Sequence, residues 1–288
     1  MADLIGHLKT SMKVETITSS QNPKFKMLLS LQEKSKARRE QGLFVVEGRR
    51  EVEHALEAGF KIRTLFVCPE VAGKRWPVEA GHDVIPGLSS SVIPGLTGNL
   101  VEIPEALYRK AAYREGAEGV IAEMEVRERR LEDLVLGPAP LVVVLESVEK
   151  PGNLGAVLRS ADAARADAVI VCDPLTDLWN PNLIRASLGG IFTVPTVCAS
   201  SAETIDWLRA RGIRILTAQL QDSSWYYDID MTVGTALVMG TESTGLTDRW
   251  REAADAHIRI PMLGRLDSLN VSVSAAILLF EAVRQRNA

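Results

Sequence analysis

The 288-residue chain is poor in the residues that announce several chemistries. It has three cysteines, Cys68, Cys172 and Cys198, with no C-x-x-C spacing. An odd, scattered set excludes a disulfide framework and a cysteine zinc site, and reads as small buried hydrophobes in a reducing compartment. The four histidines, His7, His54, His82 and His257, show no ligand spacing, so no metal is expected. No stretch approaches the roughly 20 apolar residues of a membrane span, and no apolar signal core opens the chain. A cytoplasmic protein is expected. Charge of one sign is also lacking: the net charge is −4, so nothing global advertises nucleic acid. Any contact with a polyanion has to come from a local basic surface.

What is present is a chain long enough for two domains, with 46% hydrophobic residues to fill their cores. Residues 1–13 look like a loose leader. Beyond them the spacing predicts a basic helix, a strand at Leu43-Phe-Val-Val46, a helix from Arg49 to Ala58 and a strand at Thr64-Leu-Phe-Val67. Residues 69–104 read as loops holding one strand at Asp83-Val-Ile85. A helix, Glu105 to Ala112, and a strand, Gly119-Val-Ile-Ala122, complete a small α/β domain over 14–125. The charged stretch ending in Gly137-Pro-Ala-Pro140 suggests a linker over 126–140. A second domain, 141–288, alternates apolar β-branched strands with helices, the pattern of a parallel sheet covered on both faces. Its final helix, Val271 to Arg286, is expected to bury Ala276, Ile277, Phe280 and Val283, with Arg284 and Arg286 complementing the helix dipole.

The basic surface is concentrated between Lys24 and Arg39, where Lys24, Lys26, Lys34, Lys36, Arg38 and Arg39 face one acid, Glu33. Charge alone leaves open a solvated helix face or a phosphate-binding surface. Two glycine-marked loops follow apolar strands: Gly240-Thr-Glu-Ser-Thr-Gly245, and the segment Ile260-Pro-Met-Leu-Gly-Arg-Leu-Asp-Ser-Leu-Asn-Val-Ser272. Loops at the carboxyl ends of parallel strands are where such sheets bind ligands. The first departs from a P-loop where Leu246 replaces the lysine that reaches the β/γ-phosphates, and Glu242 adds a negative charge there, which disfavours a nucleotide-hydrolysing enzyme.

Three segments together resemble the motifs of the SpoU/TrmH-like RNA ribose methyltransferases of the SPOUT superfamily. They are Pro151-Gly-Asn-Leu-Gly-Ala-Val-Leu-Arg-Ser-Ala161, Gly240 to Leu246, and Ile260 to Ser272, with Asn182-Leu-Ile-Arg-Ala-Ser-Leu-Gly189 similar to a fourth signature. The likeness is close over 139–288. It departs at Lys150, where the family usually has an acid before the proline; Glu149 stands one place earlier.

The resemblance implies an α/β fold: a C-terminal SPOUT domain with a parallel sheet and deep trefoil knot, behind a small N-terminal ribosomal-protein-like RNA-binding domain. It implies S-adenosylmethionine as cofactor, held near Thr217, Gly240, Ile260 and Leu269, and a homodimer. It makes Arg159, Asn153, Glu242, Ser268 and Asn270 the catalytic set. Arg159 reads either as general base or, given the strong basicity of a guanidinium, as a clamp on the phosphate and the developing alkoxide. Ser268 and Asn270 also suit helix capping. Arg185 is a candidate second phosphate clamp, and Lys34, Lys36, Arg38 and Arg39 become candidate RNA contacts. Large-subunit rRNA is the first expected substrate, tRNA the second, with a non-catalytic RNA-binding SPOUT protein as the rival reading. The target nucleotide and the proton acceptor stay open.

Overall fold

A computed structural model of the protein describes residues 14–72, 96–113, 118–241 and 244–287, with only the backbone of 96–98. The expected leader at 1–13, the expected strand at Asp83-Val-Ile85, and Glu242 lie outside the described residues. The chain forms two compact units divided between Val126 and Arg127.

The first unit is built on a five-stranded mixed sheet: β1 (Val14–Thr16), β2 (Leu43–Glu47), β3 (Ile62–Val67), β4 (Leu96–Glu102) and β5 (Val120–Glu125), in the order β1-β4-β3-β5-β2. Two strands contradict the sequence reading. β4 lies within the segment read as loop, and β1 precedes the first expected element. β4 carries Gly98 and Asn99, which disfavour strands; parallel pairing on both edges, with β3 and with β1, stabilises it instead.

The basic helix is in fact two, α1 (Pro23–Glu33) and α2 (Ser35–Gln41). Asn22 caps the first by accepting from the Lys24 N–H at 2.9 Å, with Pro23 in the first turn. Phe25, Leu28 and Leu31 recur at helical spacing and are buried among Val45, Phe66, Val101 and Ile121. The break at Lys34 is closed by Arg38. Arg38 is only 3% exposed, and its guanidinium donates to the carbonyls of Leu31 at 2.6 Å and Gln32 at 3.1 Å. Arg38 therefore satisfies the orphan carbonyls at the end of α1, and its expected place on an RNA-facing surface is corrected. Helices α3 (Arg49–Glu57), α4 (Pro69–Ala72) and α5 (Glu105–Ala111) complete the unit.

The second unit has seven parallel strands in the order β10-β12-β9-β11-β6-β7-β8. They are β6 (Leu141–Glu146), β7 (Ala168–Cys172), β8 (Thr196–Ala199), β9 (Arg214–Ala218), β10 (Ser224–Trp225), β11 (Thr235–Met239) and β12 (Ala256–Arg259). The helices are α6 (Pro151–Ala163), α7 (Pro181–Ser187), α8 (Gly190–Thr193), α9 (Ser201–Ala210), α10 (Asp248–Ala253) and α11 (Val271–Arg286). The unit's core gathers Val142, Val144, Ile170, Ile215, Val238 and Trp250, all fully buried. Within the stretch read as a linker, Leu131 and Leu134 are buried in this same core. α6 and α7 meet at Gly155, where a Cβ would lie 2.5 Å from the Ala186 Cβ and 2.9 Å from the Leu183 carbonyl. Only glycine lets the two backbones approach so closely.

α11 turns the opposite way from the expected one. Its buried face is Ala275, Leu278, Leu279 and Ala282, while Phe280 is 48% exposed and Val273 47%. Ala276, Ile277 and Val283 are half-buried. The helix has apolar residues nearly all round, so periodicity alone does not select the inner face. Its terminal arginines act specifically. Arg284 pairs with Glu281 at 2.8 Å, and Arg286 donates to the carbonyls of Ala139, Met231 and Val233.

One buried acid makes the first unit sensitive to pH. Glu123, 4% exposed on β5, has an oxygen with no hydrogen-bond partner, and burial pushes its carboxyl up to about 7 against the pull of Thr64, Lys24 and Arg63. Because the folded value is raised, the folded state holds the proton over a window where the unfolded chain has lost it. Stability therefore falls as pH rises from about 4.5 to about 7, by on the order of 3 kcal/mol for such a shift. Glu123→Gln should flatten that slope in urea denaturation between pH 5 and pH 8. An unchanged slope would locate the pH dependence elsewhere.

Candidate active site

The carboxyl ends of β9, β11 and β12 lie side by side, and the segments leaving them enclose a cleft of about 390 Å³. Its floor is apolar, with Met239, Leu246, Ile258 and Leu278, and its rim is formed by Gln219, Thr241 and Ser268. A second hollow of about 260 Å³ adjoins it, lined by Glu149, Lys150 and Asn153, and shares Gly240, Thr241 and Val271 with the first.

The glycine loop folds back on itself. A Cβ on Gly240 would lie 2.2 Å from the Gly245 carbonyl carbon and 2.5 Å from the Leu246 nitrogen. The reversal is held by the Gly245 N–H donating to the Thr241 carbonyl at 3.1 Å and the Thr244 N–H donating to Thr241 Oγ1 at 3.0 Å. Gly245, at φ +68°, takes the left-handed conformation that this return requires. Glycine at 240 thus answers to the close approach of the loop's own two arms.

Glu146 anchors the far end of the loop. Its carboxylate ends β6, is 4% exposed, and accepts from the Thr247 N–H at 2.9 Å and the Thr247 hydroxyl at 2.7 Å. Ser201 donates to Asp173 at 2.7 Å and accepts from the Trp250 indole N–H at 3.1 Å. A buried carboxylate with several donors is stable where a bare one is not. The sequence reading passed over Glu146; its signal is an acid closing the otherwise apolar run Leu141-Val-Val-Val-Leu145.

Gly240, Ile260, Ser268 and Leu269 all line the larger cleft, and Asn153 the smaller. Asn270 caps α11 by accepting from the Ser272 N–H at 2.9 Å, and its amide donates to Asn153 Oδ1 at 3.2 Å, joining α11 to the first turn of α6. Thr217 is different. Its side chain is fully buried and shares a 2.7 Å hydrogen bond with His257, its register partner on β12. It ties two strands together behind the cleft, which Ala218, one residue on, lines in its place.

Arg159 projects from α6 into solvent and makes no ion pair among the described residues. Arg185, on α7, is also exposed. Three further polar groups of the cleft carry buried atoms without a hydrogen-bond partner: Gln219 Oε1, Arg251 Nε and Arg259 Nε. Such orphans are costly unless a ligand satisfies them. An apolar floor with polar residues at its rim fits a mid-sized, mixed-polarity ligand.

Known proteins resemble most of the chain. Residues 140–280 match the SpoU rRNA Methylase family and residues 22–122 the MRM3-like substrate binding domain. A 23S rRNA (uridine(2479)-2'-O)-methyltransferase of Streptomyces viridochromogenes is 30% identical, covering 93% of this chain and 92% of the relative. The chain belongs to the SpoU rRNA methylase family. A second such methylase, the 23S rRNA (guanosine(2553)-2'-O)-methyltransferase RlmP of Bacillus subtilis, is 29% identical over 93% of this chain and 98% of its own. The AdoMet-bound rRNA methyltransferase from Sinorhizobium meliloti superposes with a TM-score of 0.82 at 32% identity, covering 94% of this chain and 98% of that one.

In this SpoU methylase the loop anchor should be measurable as a coupling. Glu146→Ala removes the charged acceptor of both Thr247 donors and should cost roughly 1–3 kcal/mol, the usual range for hydrogen bonds to a charged group. Thr247→Val should cost less, and the double variant less than the sum of the two. Strictly additive effects in urea denaturation would show that the Glu146–Thr247 pair does not hold the loop.

Proposed function

We propose that this protein transfers a methyl group from S-adenosylmethionine to a ribose 2'-hydroxyl of 23S ribosomal RNA, working in the cytoplasm. The observation that carries this reading is a likeness to methyltransferases that act on 23S rRNA over 93% of the chain. The cleft supports the cofactor assignment. It pairs an apolar floor with a polar rim, which suits an adenosyl and amino-acid ligand.

When bound, the cofactor supplies an electrophilic methyl on a positively charged sulfur with a neutral leaving group. The chain's task is then mostly alignment. The main chain around Gly240, Ile260 and Leu269 lines the seat, and Gln219, Arg251 and Arg259 offer the polar contacts. Arg159, exposed on α6, grips the phosphate beside the target ribose and stabilises charge developing on the 2'-oxygen. The close packing of α6 on α7 at Gly155 puts Arg185 on the adjoining helix, as a second phosphate contact. The linked Asn153 and Asn270, with Ser268 at the rim, orient the ribose.

We further propose that the enzyme is a homodimer. The outer face of α11, with Val273, Ile277 and Phe280 continuing from exposed Leu269, is an apolar stripe suited to a two-fold contact.

Arg159→Ala should lower kcat/KM for methylation of 23S rRNA by about 10²–10³-fold, with cofactor affinity by calorimetry unchanged. A collapse of cofactor binding in that variant would place Arg159 in the cofactor seat instead. The first unit should read the RNA through Lys34, Lys36 and Arg39, which remain exposed. Replacing these three by Ser should flatten the salt dependence of RNA binding by roughly 0.7–0.9 in slope for each phosphate that is no longer neutralised. An unchanged slope would show a solvated helix face.

A further inference from the structure

The edge strand β10 and the turn after it expose two aromatic residues, Trp225 and Tyr227, with half-buried Tyr226 between them. Trp225 is 37% exposed and Tyr227 46%. Their rings lie near-parallel, with centroids 6.4 Å apart and planes 23° from one another, and Tyr226 meets Tyr227 edge-on at 5.1 Å. Arg259, the register partner of Trp225 on β12, lays its guanidinium over the indole 4.3 Å from the ring centre. The same Arg259 lines the cleft, beside Leu220, which is itself 46% exposed. The aromatic surface and the cleft are therefore continuous.

Exposed aromatic area of this kind marks a binding surface, and its surroundings select the occupant. Asp222, Asp228 and Asp230 flank it and are all exposed, so a phosphate backbone is repelled there. Two residues of strand are too short to recruit a partner strand with useful affinity. A planar, uncharged ring suits both the rings and the charges. The relatives also act on different nucleotides, a uridine in one and a guanosine in another. Base recognition in the family therefore varies from member to member. Trp225 and Tyr227 stand between the motifs shared with it, and next to the cleft.

We propose that Trp225 and Tyr227 form a stacking platform for an unpaired base of the RNA substrate, close to the nucleotide whose ribose enters the cleft. The proposal rests on the methyltransferase reading above. Stacking on aromatic side chains is the usual way proteins hold splayed RNA bases.

The test compares wild-type enzyme, W225A/Y227A and W225F/Y227F, using 23S rRNA transcripts and S-adenosylmethionine. In the alanine variant the Kd for RNA should rise roughly ten- to hundredfold. Its salt slope should hold, because the number of phosphates neutralised stays the same. Cofactor affinity and the molar mass by light scattering should also hold, and the phenylalanine variant should recover most of the RNA affinity. Unchanged RNA affinity in the alanine variant overturns the proposal, as does a phenylalanine variant as weak as alanine. A fall to a smaller assembly would overturn it too, by showing an interface between two copies of the chain. A wild-type enzyme that methylates no rRNA would sink the functional reading itself, and this one with it.

Discussion

A strand buried on both faces, with a parallel neighbour on either side, has no freedom to slide. β11 is such a strand, fully buried and paired with β6 on one edge and β9 on the other. A shift of one residue would exchange its two faces and break both ladders. Its end at Met239 is therefore fixed, and so is the point where the glycine loop begins. β12 is registered through β9, with His257 opposite Thr217, which fixes the start of the Ile260 segment. Both loops of the cleft hang from one rigid layer. A site whose work is alignment needs that rigidity more than it needs many charged groups.

Charge in this protein is divided between structure and function. Arg38 closes α1, Arg286 gathers carbonyls at the end of α11, and Glu146 accepts the donors that begin α10. These groups are sequestered by the fold. Arg159, Arg185, Lys34 and Arg39 face solvent, within reach of a polyanion. Net charge is therefore a weak guide to contact with a polyanion, because some cations are exposed and others are committed internally.

Much of the second unit was legible in the chain. The apolar runs 141–145 and 236–239, and the helix over 271–286, needed only hydrophobic spacing and capping residues. The motif residues Gly240, Ile260, Ser268 and Leu269 do line one cleft, and Asn153 and Asn270 do meet, across 117 positions of sequence. Elsewhere the signal was weak for physical reasons. β4 carries strand-disfavouring Gly98 and Asn99 and is stabilised by neighbours remote in sequence, as is the three-residue β1. The resemblance placed Thr217 among the cofactor contacts. Its side chain is spent on the neighbouring strand, a relation that only pairing reveals.

By itself the sequence determined the family, the parallel α/β layer and the loops that line the cleft, since these depend on local patterns of a few residues. Tertiary structure alone decided which face of α11 is buried, that Arg38 is internal, that Glu146 holds the loop of Gly240, and that Trp225, Tyr227 and Arg259 form one exposed surface beside the cleft. Each of these depends on the meeting of residues that spacing along one segment does not relate. Such meetings are set by sheet order and register, which local sequence patterns do not encode.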